Sequence, residues 1–327
     1  MEKIKVGVVG IGHMGSYHVR TYAGFQNVEL AGVVDIDEER AEKVAKQYNT
    51  KAYSDYRQIF DKVEAVNIAV PTSKHYQAAK DFLEAGKHVL LEKPATSSLE
   101  EAEELLSLAQ SKNLVLQIGH VERFNAAVNE LKNIVKDPIF IECRRLGPKN
   151  SRITDTGVVL DLLIHDVDII LRLVDSKITK MNVAGGPIYS KFEDLANVQL
   201  LFDSGCIANL TASRVTEEKI RTLAITQPDA YIFLDYAEQD LQIHRQASSK
   251  YILSRELLQY RQESFIERLF VHKDNPLKLE LSHFIDCIVN GATPRTTTEE
   301  DLRSLGITLK ILEKIKEESA SPDEIKK

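Results

Sequence analysis

The first third of the chain alternates short apolar, β-branched runs with longer amphipathic stretches. Strands are predicted at 4–9, 28–34, 65–70, 88–91 and 114–118, and helices at 37–47, 73–85 and 97–111. Strands that alternate with helices predict a parallel sheet covered on both faces. Because crossover connections are right-handed, the sheet should be the doubly wound sheet of a Rossmann-type domain.

The pattern changes after about residue 136. A strongly apolar helix is predicted at 157–172, and strand-like runs follow at 177–184, 196–203, 206–214, 220–226, 230–236 and 265–271. Helices predicted at 277–290 and 299–318 close the chain. This order favours an α+β domain with a mostly antiparallel sheet. We therefore predict domains at 1–120 and 121–327, with closing helices that can pack back on the first domain; a helix near 124–135 fits either one.

Composition and charge exclude several classes of protein. The formal net charge is −7 and no long basic run interrupts it, so nucleic acid and anionic membranes are poor partners. The three cysteines are far apart and odd in number, which argues against a disulfide framework and indicates a reducing compartment. No apolar run approaches the roughly 20 residues of a membrane span, and the N-terminus is not typical of a signal peptide. We expect a cytoplasmic protein.

A glycine-rich segment follows the first predicted strand and opens a helix. Residues 10–15 read GIGHMG. In such a motif Gly10 permits a tight turn, Gly12 leaves room for a pyrophosphate, and Gly15 lets helix and strand pack closely. The helix N-terminus adds free N–H groups and partial positive charge for phosphates. The alternative, a turn that merely needs glycines, is less consistent with the acidic residue Asp35 that follows.

Asp35 ends the second predicted strand, about 20 residues after the last glycine of the motif. A carboxylate at this place binds the adenosine ribose hydroxyls of a dinucleotide and repels a 2′-phosphate. The next residue is Ile36 rather than an arginine that would neutralise such a phosphate. The sequence therefore favours NAD over NADP.

Two further segments follow predicted strands at the edge where doubly wound sheets bind ligands. Pro71 and Thr72 follow the strand at 65–70, with His75 just beyond, and Glu92, Lys93 and Pro94 follow the strand at 88–91. A lysine beside a nicotinamide ring would polarise a substrate hydroxyl and stabilise the charge that develops during hydride transfer. The simpler interpretation is an ordinary surface lysine in a loop.

The apolar helix of the second half carries a polar stripe. Asp161, His165, Asp168 and Arg172 are spaced by three or four residues and share one face of an ideal helix, whereas Asp166 lies off it and is expected to form a local pair or lie at the surface. Buried charges need partners, so the stripe is either an acid/base site facing a cleft or a structural ion pair such as Asp168 with Arg172. An unperturbed histidine titrates near neutral pH, as a general base should, so His165 is the candidate base. A three-ligand metal site remains an alternative.

These segments together resemble the Gfo/Idh/MocA family of NAD(P)-dependent sugar and polyol oxidoreductases. The resemblance covers essentially the whole chain, and its most specific parts are AGKHVLLEKP at 85–94 and DLLIHDVD at 161–168. It implies that Lys93, Asp161 and His165 line a substrate site beside the nicotinamide. It also implies an NAD-binding Rossmann domain followed by a substrate-binding α+β domain, whose large open sheet forms a homodimer or homotetramer.

The resemblance extends to particular ligand contacts. Within GHVERFN at 119–125 it implies substrate contacts by Arg123 and Asn125, although Ala126 replaces the proline usual in the family. Residues 144–158 are similar to the nucleotide-sugar branch, which oxidises the 3-hydroxyl of UDP-N-acetylglucosamine. Arg144, Arg145 and Arg152 there would meet a diphosphate, or they are ordinary charges at a strand edge. The full set of predicted cofactor-binding residues is Gly10, Gly12, His13, Met14, Gly15, Asp35, Pro71, Thr72, His75, Glu92 and Lys93. We expect no metal.

The expected activity is hydride transfer from a secondary hydroxyl of a pyranose to NAD, with UDP-N-acetylglucosamine as the favoured substrate. Either Lys93 or His165 would take the hydroxyl proton, and Asp161 would orient the sugar or the base. A 3-keto product would pass to an aminotransferase that uses pyridoxal phosphate. The alternatives are a dehydrogenase of free sugars or polyols, such as inositol or glucose, and an NAD-bound sugar sensor without turnover.

Overall fold

The structure is a computed structural model that describes residues 3–149, 156–246, 264–295 and 297–319. Within these residues the chain forms two compact units. The first consists of three segments, Met1–Phe124, Arg152–Asp168 and Asp274–Lys310, and the second of Asn125–Ser151, Ile169–Lys273 and Ile311–Lys327.

The first unit contains a six-stranded parallel sheet in the order β3-β2-β1-β4-β5-β6. Its strands are β1 (Ile4–Val9), β2 (Val28–Val34), β3 (Ala52–Tyr53), β4 (Ala65–Ile68), β5 (His88–Glu92) and β6 (Leu116–Gly119). Its helices along the first segment are α1 (His13–Tyr22), α2 (Glu38–Tyr48), α3 (His75–Glu84) and α4 (Leu99–Ser111). This strand order confirms the predicted Rossmann-type sheet.

Helices cover both faces of this sheet. On one face α3 and α4 pack on the sheet through Phe82, Leu83 and Leu105. On the other face Val19 and Tyr22 of α1 share an apolar cluster with Phe284, which belongs to α7 (Pro276–Val289). The start of α8 (Thr298–Ser319) adds Leu305 to the first cluster. The long apolar strands of this unit are explained by burial on both faces.

The second unit contains an eight-stranded sheet in the order β14-β13-β12-β11-β7-β10-β9-β8. Its elements are α5 (Ala126–Ile134), β7 (Phe140–Leu146), β8 (Ile178–Gly186), β9 (Leu195–Phe202), β10 (Ile207–Ser213), β11 (Ile220–Gln227), β12 (Ala230–Asp235), β13 (Asp240–Gln246) and β14 (Ser264–Leu269). All neighbouring strands are antiparallel except β7 and β10. The predicted mostly antiparallel sheet is confirmed.

The sequence pattern did not reveal β7, although it lies in the middle of the sheet. Charged residues such as Glu142 and Arg144 interrupt its apolar run, but they alternate with the buried residues Ile141 and Cys143. The strand therefore has the period of two that a sheet requires, with polar side chains on its other face. The strands β3 and β13 were also absent from the predictions.

The predicted helix at 157–172 consists of two parts. Val159–Leu163 forms a π-helical turn, which continues into α6 (Ile164–Leu173). A π-helical turn inserts an extra residue into the hydrogen-bond ladder and rotates the side chains before it relative to those after it. Asp161 lies in this turn and His165 in α6. The single straight stripe predicted from ideal α-helical spacing is therefore wrong in detail.

Candidate active site

A cleft of about 170 Å³ opens in the first unit at the carboxyl ends of β1, β4 and β5. The strand order reverses between β1 and β4, and ligands of doubly wound sheets bind at this switch point. The residues that line the cleft are Met14, Ala69, Val70, Thr72, His75, Glu92, Lys93, Pro94, Thr156, Leu160 and Asp161. Another cavity, of about 210 Å³, lies along β6 and α4, but its buried ionised groups Arg123 and Asp301 are paired with each other.

The glycine motif forms the tight connection between β1 and α1. Gly10 has a φ of +81°, and a Cβ on it would lie 2.7 Å from the Ala69 carbonyl oxygen. A Cβ on Gly15 would lie 1.8 Å from the Gly10 oxygen. At Gly12, by contrast, a Cβ would meet nothing within 4 Å, and this residue precedes α1 without a side-chain cap. The open space and the uncapped helix N-terminus fit the pyrophosphate of a dinucleotide, whose binding sites would be Gly12 and the start of α1.

Asp35 lies at the end of β2 with its side chain 6% exposed. Its Oδ2 accepts a hydrogen bond from the Ile11 N–H at 3.0 Å, and its Oδ1 accepts one from the Asp37 N–H at 3.0 Å. Arg40 Nη1 lies 3.3 Å from Oδ2. The carboxylate is thus held against the glycine turn, where the ribose of a dinucleotide is expected. Sequence reasoning missed Arg40, which is five positions after Asp35 but faces it from the first turn of α2.

Lys93 and Asp161 meet in the cleft. The Lys93 ammonium donates hydrogen bonds to the backbone oxygen of Asp161 at 2.6 Å and to its Oδ1 at 3.0 Å. Both side chains remain partly accessible, at 16% and 19% exposure. Lys93 follows β5, whereas Asp161 lies in the π-helical turn, so the structure brings together two residues that the sequence separates widely. This pair offers a cation and a carboxylate to one small polar ligand.

His165 follows Asp161 by one turn and is 8% exposed. Leu160 and Asp161 are among the described residues that line the cleft, but His165 is not. Asp166, expected as a local pair or a surface residue, is 1% exposed and is not at the surface. Asp168 does not pair with Arg172 in the way considered from sequence spacing; it binds Arg123, whose Nε donates to Asp168 Oδ2 at 2.8 Å.

His75 joins two of the loops that border the cleft. Its Nδ1 lies 2.8 Å from the Pro94 carbonyl oxygen and its Nε2 lies 2.9 Å from that of Val70. Burial lowers the pKa of His75, so the neutral ring with a single N–H is favoured. The neutral ring donates its N–H to only one of these two carbonyl oxygens, and the side chain lies between the loop that carries Lys93 and the loop that carries Thr72.

A chain of buried hydrogen bonds lies behind Glu92. The Tyr22 hydroxyl donates to Asn67 Oδ1 at 2.8 Å, and the Asn67 amide donates to His18 Nδ1 at 2.9 Å. With Nδ1 accepting, the proton of a neutral His18 ring is on Nε2, which lies 3.0 Å from Glu92 Oε1. Burial opposes ionisation of Glu92, but the His18 hydrogen bond and the charge of Lys93 outweigh it and lower the carboxyl pKa. The chain therefore supplies the cleft with a fixed negative charge.

Two of the predicted substrate-binding residues, Arg123 and Asn125, have structural partners. Arg123 is 2% exposed and binds both Asp168 and Asp301. Asn125 caps α5 by accepting the Ala127 N–H at 3.1 Å. Arg152 lies outside the described residues. Their contacts with a substrate stay predictions.

The remaining predicted cofactor-binding residues lie at or beside the cleft. Met14 and Thr72 line it. His13 is exposed at the start of α1, where its ring packs edge-on against Tyr17 at 4.9 Å between centroids. Pro71 is exposed and directly precedes Thr72. Their contacts with a cofactor stay predictions.

The described residues contain neither a metal-binding cluster nor a membrane-spanning helix. Among the described residues no group of three or more His, Cys, Asp or Glu side chains is placed to hold a metal ion. None of the described helices combines the length and apolarity that crossing a membrane requires.

Two family models match the chain. Residues 4–120 match the NAD-binding Rossmann fold of the Gfo/Idh/MocA oxidoreductase family, and residues 118–230 match the C-terminal domain of the same family. These matches agree with the Rossmann-type sheet and the uncapped glycine turn.

Individual relatives with known names are also dehydrogenases. UDP-N-acetylglucosamine 3-dehydrogenase of Acidithiobacillus ferrooxidans is 35% identical over 249 residues, which cover 76% of this chain and 79% of the relative. A structure of that enzyme superposes with a TM-score of 0.85 at 30% identity, over 97% of this chain and 99% of the other. NAD-dependent scyllo-inositol 2-dehydrogenase of Bacillus subtilis is 26% identical over 90% of this chain and 89% of its own length.

Proposed function

Since the chain belongs to the Gfo/Idh/MocA family of NAD-dependent oxidoreductases, we propose that it oxidises a secondary hydroxyl of a pyranose. The substrate that we propose is UDP-N-acetylglucosamine, oxidised at C3 to the 3-keto sugar. The observation that carries this proposal is the Lys93–Asp161 pair in a cleft beside the glycine turn. The relative that is 35% identical supports the choice of substrate.

Lys93, Asp161 and His165 have different roles in the proposed reaction. A bound NAD would accept the hydride from the carbinol carbon. The hydroxyl proton passes to a base, for which Lys93 and His165 are the two candidates, and Asp161 orients the sugar or that base. The two roles of Lys93 need different protonation states: the neutral amine would take the proton, whereas with His165 as the base the ammonium beside Asp161 would stabilise alkoxide-like charge on the reacting oxygen.

A free polyol or sugar is the second candidate substrate. The inositol dehydrogenases among the relatives favour it, for example the Bacillus subtilis scyllo-inositol enzyme, which aligns over 90% of this chain. An NAD-bound sensor without turnover is a third interpretation, and the ion-paired Lys93 and Asp161 in an open cleft argue against it.

The wider assignment also belongs to this proposal. Residues 1–120 would form the NAD-binding domain and residues 121–327 the domain for substrate binding and oligomerisation, through the eight-stranded sheet as a homodimer or homotetramer. A 3-keto nucleotide sugar is a substrate for transamination, so an aminotransferase that uses pyridoxal phosphate would act next. We place the reaction in the cytoplasm, consistent with the cysteines Cys143, Cys206 and Cys287, which form no disulfide.

The experiment is a substrate panel with NAD, followed by NADH absorbance. UDP-N-acetylglucosamine should give turnover, and myo-inositol, scyllo-inositol and glucose should give far less. Lys93→Met should lower kcat by about 100-fold or more, as expected for loss of a proton-transfer or oxyanion-stabilising group. His165→Ala tests the other candidate base, and loss of one limb of the pH–rate profile in only one variant identifies the base.

A control variant distinguishes site effects from loss of folding. Lys80→Ala removes a half-buried lysine of the same unit that pairs with Glu104 at 2.7 Å and should retain wild-type kcat. Turnover of inositol but not of the nucleotide sugar would favour the second candidate. Wild-type turnover in both the Lys93 and the His165 variant would exclude the proposed chemistry.

A further inference from the structure

The cavity along α4 and β6 is separate from the catalytic cleft. It has a volume of about 210 Å³ and belongs entirely to the first unit. Among the described residues, the cavity and the cleft share no lining side chain. Its apolar wall includes Leu106, Ala109, Leu114, Leu116 and Ile118. Because about 150 Å³ is enough to hold benzene in an apolar cavity, this cavity has room for a single ring with polar substituents.

Arg295, from the loop between α7 and α8, brings a positive charge to this cavity. Its guanidinium lies over the Phe124 ring, 4.8 Å from the centroid, and its Nη1 is 3.5 Å from the Arg123 carbonyl oxygen. It forms no ion pair with any residue in the described ranges. The carboxylate of Asp301, by contrast, is paired with Arg123 at 2.6 Å. The unpaired charge at the cavity is therefore positive and suits an anion.

His283 and Gln117 add two neutral polar groups. The Arg295 backbone N–H donates to His283 Nε2 at 3.1 Å, so a neutral ring has its proton on Nδ1. Burial, and after it Arg295, lowers the pKa of His283, which favours this neutral ring. Gln117 is 9% exposed, and its amide nitrogen is 3.4 Å from the Glu280 carbonyl oxygen, a long hydrogen bond. Within the part of the chain that the structure describes, the Gln117 side-chain oxygen has no donor.

We propose that this cavity binds a small organic acid with one ring, a carboxylate and a hydrogen-bond donor. Arg295 holds the carboxylate, because a guanidinium binds both carboxylate oxygens through two parallel N–H groups. The ring packs against Phe124 and the apolar wall, and the Gln117 oxygen accepts the donor. An apolar wall with a few placed polar groups is the usual composition of a small-molecule site. This inference does not depend on the proposed dehydrogenase activity.

The test is isothermal titration of 4-hydroxybenzoate into the full-length protein without NAD or sugar. This probe has one ring, a carboxylate for Arg295 and a phenolic hydroxyl that donates to Gln117. We expect saturable binding with a Kd below about 1 mM. The uncharged analogue 4-hydroxybenzyl alcohol should bind at least about tenfold more weakly, because it cannot form the charge-assisted contact with Arg295.

Two variants each remove one contact. Arg295→Ala keeps the backbone N–H that binds His283 and should weaken 4-hydroxybenzoate binding at least about tenfold. Gln117→Leu removes the acceptor oxygen and should weaken binding by about two- to tenfold. The control Arg57→Ala removes an exposed arginine of the same unit, paired with Asp55 at 2.7 Å, and should leave the affinity unchanged. Thermal unfolding of each variant checks that the fold is retained.

A further variant distinguishes this cavity from the catalytic cleft, where Lys93 also offers a cation. The affinity for 4-hydroxybenzoate should be the same in Lys93→Met as in wild type, because Lys93 does not line the cavity. The proposal would be overturned by no saturable binding up to about 10 mM, by equal affinities in wild type and Arg295→Ala, or by loss of binding in Lys93→Met. Absence of sugar turnover would count only against the proposed function.

Discussion

At the scale of one residue, Glu280 shows how burial changes the protonation of a carboxyl group. It is fully buried in α7, and neither carboxyl oxygen has a hydrogen-bond partner among the described residues. Burial, and after it the negative charge of Glu92, raises the Glu280 pKa well above its ordinary value. The protonated form is favoured in the folded chain, because ionisation would leave an unpaired charge in the interior.

Glu280 should therefore lower the free energy of unfolding as the pH rises. The unfolded chain loses this proton near a pKa of about 4.3, whereas the folded chain retains it to higher pH. Stability is thus lost as the pH rises above that ordinary value. Glu280→Gln removes the titration, so its stability relative to wild type should increase between pH 5 and pH 8, as measured by chemical denaturation. The exposed Glu84→Gln is the control; an equal slope in both variants would contradict the prediction.

At the scale of elements, the Tyr22–Asn67–His18–Glu92 chain connects α1, β4 and β5 behind the cleft. Each contact has its donor on the side away from Glu92, so the hydrogen bonds all point toward that carboxylate. Asn67, which is fully buried, is the link that joins the two side chains of α1. The chain explains how a carboxylate at the end of β5 stays ionised despite burial.

Asn67→Leu keeps the volume but breaks this chain at its centre. It leaves the Tyr22 hydroxyl and His18 Nδ1 without their partner, and each unpaired buried group costs about 1–3 kcal/mol. We expect the free energy of unfolding to fall by roughly 2–4 kcal/mol. Asn182→Leu, which removes an exposed amide paired with Gln199, should cost under about 1 kcal/mol. A cost at Asn67 no larger than that would show that the chain contributes little to stability.

At the scale of the whole molecule, the first unit is assembled from three separate segments of the chain. One ion cluster contains a residue from each of them. Arg123 of the first segment binds Asp168 of the second and Asp301 of the third, and the Ser304 hydroxyl also donates to Asp168 at 2.7 Å. The closure of this unit therefore involves buried charges as well as apolar contacts.

The pKa values of the two carboxyl groups in the cluster are shifted in opposite directions. Burial opposes ionisation of Asp168, but nearby His120 and Arg123 outweigh it and lower the Asp168 pKa, so its stabilisation is lost as pH falls below the ordinary value. Burial raises the pKa of Asp301 to about 6 despite Arg123, so ionisation of Asp301 costs stability as the pH rises through about 6.

Matched amide substitutions test this difference at pH 7. Asp168→Asn should lower the free energy of unfolding by about 3–5 kcal/mol, because Arg123 keeps a buried charge without its main partner. Asp301→Asn should cost at most about 1 kcal/mol, since the amide oxygen still accepts from Arg123 and the unfavourable ionisation disappears. Thermal and chemical unfolding of both variants measures the difference between the two losses in free energy of unfolding. Similar costs for the two variants would contradict it.

Much of the fold and part of the site are determined locally and were predicted from sequence. The glycine turn has a local origin in the positive φ of Gly10 and in the close approach of Gly15 to the Gly10 oxygen. The alternation of strands and helices follows from apolar periodicity over a few residues. These local features gave the Rossmann-type sheet, the family and the NAD preference.

Only the tertiary structure decided which distant residues meet. Asp161 in the π-helical turn lies beside Lys93, and Asp168 pairs with Arg123 rather than with Arg172. The missed strand β7 became recognisable through the neighbours that bury its alternate residues. The physical reason is that local periodicity constrains the backbone, whereas ion pairs and buried hydrogen bonds depend on where segments far apart in sequence come together.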